Sequence, residues 1–154
     1  MDGLAQKIGI AKCTFYKYLA YLHQAELLKP VTHEAKRFGN VRKSDKLYMA
    51  DTNLLEAICA NKEKGMLRET FFVNVLCPLH RLHYTSNGDF LVDETFTFEV
   101  GGKHKGHTQV ENLPQSYVVA DGIETGFGKE IPLWFLGFCI ECEMPENKTV
   151  VSKT

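Results

Sequence analysis

Apolar positions recur at helical spacing near the start of the chain and at every second position in its middle, and the change of period divides the sequence. In "GLAQKIGIAKCTFYKYLAYLHQAELLKPV", Leu4, Ala5 and Ile8 mark one short apolar face, and Gly9 is free to take the left-handed conformation that ends a helix. Phe15, Tyr18, Leu19 and Leu22 then mark a second helix over residues 14–28. The next segment, "KPVTHEAKRFGNVRKSDKLYMAD", holds Pro30, Gly39 and Asn40 before the strand-like "KLYMA", the pattern of a hairpin.

From Thr52 the grammar changes. "DTNLLEAICANKEKGMLRETFFVNVLCPL" predicts a short helix, a charged break at "NKEKG" and a second helix over residues 66–76. "RLHYTS", "DFLVDE" and "TFTFEV" predict three short strands, with turn residues at Asn87, Gly88 and Asp93. "GHTQVENLPQ" predicts one helical turn, "SYVVAD" a strand, and "IPLWFLGFC" a helix with Pro132 at its first position. Trp134 is expected to pack that helix against the sheet.

The expected fold class is α+β: an N-terminal winged helix-turn-helix followed by a restriction-endonuclease-like αβββαβ domain. The boundary is set near Ala50 to Thr52, giving modules 1–50 and 51–154. A complete winged helix carries a helix ahead of "GLAQKIG", so the N-terminus is expected to be a truncation.

Charge sharpens this division. The net charge is −1, yet residues 1–50 balance to +5 and the remainder to −6. Any polyanion contact is therefore expected in the basic first half, at Lys12, Thr14, Tyr16 and Lys17 near the start of the second helix and at Arg37, Arg42 and Lys43 in the wing. Five scattered cysteines form no disulfide framework, and "CIEC" (Cys139, Cys142) is half a zinc site without a second half, so reduced thiols are expected. No apolar run approaches a membrane span and no secretory signal is present, so a cytoplasmic location without a membrane partner is expected.

The segments "DKLYMADTNLLEAI", "GMLRETFFVNVL", "GDFLVDETFTFEVGGK" and "SYVVADGIETGFGKEIPLWFLGF" together resemble the C-terminal region of predicted AAA-class ATPases, the domain of unknown function 4143. The resemblance implies a winged helix joined to a PD-(D/E)XK nuclease-like domain, with the ATPase domain of the parent protein as a partner. No "GxxxxGK[ST]" phosphate loop occurs, so this chain supplies no ATP site.

The resemblance also implies a site. A nuclease of this type holds Mg²⁺ with carboxylates and uses a lysine two residues beyond the last of them to position or deprotonate water. Glu69 in "LRETF" would be the helix acid, Asp89 in "GDFLV" the first strand acid and Glu99 in "FEVGGK" the second, with Asp89 and Glu99 as the metal ligands. The lysine position holds Gly101, and Lys103 is the nearest stand-in. Four residues of extended strand carry it roughly 13 Å from Glu99 unless Gly101 and Gly102 fold the strand back. The expected function is a non-catalytic DNA- or protein-recognition module with a degenerate nuclease-like site. The alternatives are a Mg²⁺-dependent endonuclease and a winged-helix transcription regulator.

Overall fold

The computed structural model describes residues 2–34, 46–60, 63–103 and 113–138. The fold is mixed α and β, with a sheet at its centre. Helix α1 (Asp2–Ile8) leads through a short turn into α2 (Lys12–Gln24), and strands β1 (Leu28–His33) and β2 (Lys46–Met49) follow. Helices α3 (Thr52–Ile58) and α4 (Lys64–Leu76) precede β3 (Leu82–Tyr84), β4 (Phe90–Val92), β5 (Phe96–Gly102), β6 (Ser116–Asp121) and β7 (Glu130–Pro132). A 3-10 helix (Leu133–Phe138) closes the described chain.

Gly9 ends α1 as its sequence suggests. Its φ is +74°, and the amides of Gly9 and Ile10 bond back to the carbonyls of Gln6 and Ala5. Helix α2 stops four residues short of expectation. Glu26 adopts φ 57° while the amides of Glu26 and Leu27 bond to the carbonyls of His23 and Leu22, the closing pattern normally built around glycine. Leu28, expected at the end of that helix, instead starts β1.

Among the described residues, seven strands form one sheet in the order β2-β1-β3-β4-β5-β6-β7. β3, β4 and β5 are an antiparallel meander, and β6 and β7 continue parallel to β5. β1 joins β3 in parallel through Thr32 opposite His83 and His33 opposite Tyr84. The β1–β2 hairpin therefore belongs to the same sheet as the strands that follow it.

Its alternation explains how. Leu28 and Leu47 turn to a small cluster of Ala5, Phe15 and Leu19, whereas Val31 and Tyr48 turn to the main core with Phe72, Val73, Phe90 and Phe98. Two hydrophobic clusters thus share one hairpin.

Three expectations are corrected. Tyr18 and Leu22 do not join the buried face of α2: they are exposed, and Phe15 and Leu19 alone are buried on that helix. Pro132 does not open a helix; "EIP" is strand β7, and the turns that follow are 3-10. Trp134 is half exposed, its indole N–H donating to the Ile123 carbonyl at 3.1 Å, while Leu133 and Leu136 do the packing. The helical turn expected at "GHTQVENLPQ" falls largely outside the described residues, as do Cys139 and Cys142. Among the described residues no helix is long and apolar enough to cross a membrane.

Candidate functional site

Aromatic packing fixes how α4 lies on the sheet. Phe72 stacks on Phe90 with centroids 4.9 Å apart and tilts against Phe98 at 5.4 Å. Four residues earlier on the helix, the Arg68 guanidinium lies against Gly102, four residues later on β5. The helix therefore runs opposite to β5, and its first half overlies the carboxyl end of that strand.

Glu69 follows Arg68 and turns toward β2. The Tyr48 hydroxyl donates to Glu69 Oε2 at 2.7 Å, and Lys46 Nζ stands 3.5 Å from the same oxygen. Lys46 also lies 5.7 Å from the ring centroids of Tyr84 and Phe90, a cation over two aromatic rings. Burial pushes the Tyr48 hydroxyl well above the ordinary phenolic range; the hydrogen bond to Glu69 and the charges of Glu69 and Asp89 push the same way. Tyr48 is a neutral donor throughout the physiological range.

Asp89 is more than a turn residue. Its backbone amide bonds to the Phe98 carbonyl at 3.0 Å, and its Oδ2 accepts the Val100 amide at 2.8 Å, clamping the mouth of the β4–β5 hairpin. Phe98 is also the partner of Phe90, so the regular register ends there and Asp89 sits just outside it. Glu99 is only 3% exposed, and it alternates with Phe98 and Val100, which face the core under α4. Its side chain therefore leaves the sheet on the side away from α4.

Of the three acids, Glu69 and Asp89 both act on the Tyr48 hydroxyl. Glu69 is engaged by a phenol and an ammonium on the α4 side, and Glu99 lies on the other side. Among the described residues no group of three or more His, Cys, Asp or Glu side chains could hold a metal ion. The arrangement does not fit a three-carboxylate Mg²⁺ site, because a carboxylate already paired with Lys46 and Tyr48 is a poor ligand for a hard dication.

Lys103 does not compensate. β5 stays paired with β6 through Gly102 opposite Asp121, so the strand does not fold back at its two glycines. Lys103 is exposed just beyond the strand, its Cβ 3.9 Å from where a side chain on Gly122 would begin.

In the N-terminal half, Lys12 and Lys17 are exposed on α2, while Thr14 and Tyr16 are half buried. Tyr16 meets Phe15 edge-on at 5.8 Å and packs on the small cluster. Arg37, Arg42 and Lys43 lie outside the described residues.

Sequence reasoning missed Lys46, Tyr48, Arg68 and Asp121. The alternation of "KLYM" does put Lys46 and Tyr48 on one strand face, a usable signal. Nothing local indicates that this face meets Glu69, or that Arg68 Nε donates to Asp121 Oδ2 at 2.9 Å across 53 residues of chain. No family model, curated protein or solved structure matches this chain.

Proposed function

We propose that this chain is a nucleic-acid recognition module that binds duplex DNA through its phosphates and does not cleave it. The observation that carries the reading is the seating of α2. Phe15 and Leu19 hold the helix on the β1–β2 hairpin through Leu28 and Leu47, which leaves Lys12 and Lys17 exposed on its first half. A second helix of a helix-turn-helix unit presented beside a hairpin is the arrangement with which winged helices meet a major groove. The sequence between β1 and β2 adds Lys36, Arg37, Arg42 and Lys43.

The finer reading of the fold belongs to the same proposal. α4, the meander β3–β4–β5 and the parallel β6 follow the order of a restriction-endonuclease-like core, and Gly101 stands where such a core carries lysine. The reading is of a nuclease-like scaffold retained for binding, attached in its parent protein to an AAA-class ATPase domain. A second reading, a protein partner, is favoured by the exposed Leu4, Ile8, Tyr18 and Tyr21 on α1 and α2.

Fluorescence anisotropy with a short duplex tests the proposal. Affinity is expected to fall steeply as salt rises, and replacing Lys12, Lys17, Arg37, Arg42 and Lys43 by alanine should flatten the logarithmic salt slope by about 0.9 for each phosphate no longer neutralised. Binding insensitive to salt and to these substitutions would transfer the surface to a protein partner. Supercoiled plasmid incubated with Mg²⁺ should remain intact; cleavage that disappears in Glu99→Ala would overturn the non-catalytic reading.

A further inference from the structure

We draw no further inference here: the strongest candidate, the exposed aromatic cluster of Trp134, Phe135 and Phe138 on the closing 3-10 helix, carries nothing because nothing in the structure shows what covers it.

Discussion

Single residues decide where α2 ends and what holds β2 to α4. Glu26 takes a left-handed conformation that costs an L-residue with a side chain about 1 kcal/mol or more, and it does so at the position where glycine is the usual helix terminator. Glu26→Gly is therefore expected to stabilise the fold by about 0.5–1 kcal/mol, read as a higher urea midpoint with an unchanged slope. The same chemistry was legible at Gly9 because the residue type announced it. At Glu26 it was not, since nothing marks a glutamate as left-handed until the two closing hydrogen bonds are seen.

Tyr48 gives a residue-scale prediction with a sign. Its folded-state pKa is raised by burial first and by Glu69 second, whereas the unfolded chain has an ordinary tyrosine near 10. Below pH 10 both states carry the proton and the contribution is complete. Above it the unfolded chain releases a proton that the folded chain keeps, so stability falls as pH rises. Urea midpoints at pH 9 and pH 11 should show that loss, and Tyr48→Phe should reduce it. At neutral pH the same variant should cost about 1–2 kcal/mol, because Glu69 loses a donor in a half-buried setting.

Elements were legible where the period was long or the alternation clean, and lost where the element was short. "SYVVAD" is a strand over the residues its alternation predicts, and α4 begins two residues ahead of expectation. "EIP" spans three residues and ends in proline, which sequence reasoning places at the start of a helix; at the edge of a sheet, proline is equally acceptable because it has no amide to leave unpaired. The start of α3 shows a further local device. Asp51 accepts the amides of Asn53 and Leu54 with its side chain, satisfying two of the donors that a helix leaves open at its first turn. Asp51→Ala should lower stability by about 1 kcal/mol, whereas Asp51→Asn, which keeps an acceptor, should lose a fraction of that in the same denaturation series.

At the scale of the whole molecule, charge and packing do not share a boundary. The sign of the charge reverses near Ala50, but the β1–β2 hairpin on the basic side sends Val31 and Tyr48 into the core built by Phe72 and Phe90. Charge could be summed from the sequence; the pairing of β1 with β3 could not, because it joins residues about fifty positions apart through two register positions. Helices α1 and α2 stand differently, since among the described residues their cluster has three buried members, Ala5, Phe15 and Leu19, against twelve in the main core. Opening the helix pair exposes little apolar surface, whereas freeing the hairpin would uncover both clusters. Native-state hydrogen exchange should therefore split the basic half in two: amides of β1 and β2 should exchange only with the global unfolding that releases β5 and β6, and amides of α1 and α2 should exchange at a lower free energy. Equal protection of α2 and β2, with both lower than β5, would instead make residues 1–50 a separately unfolding module.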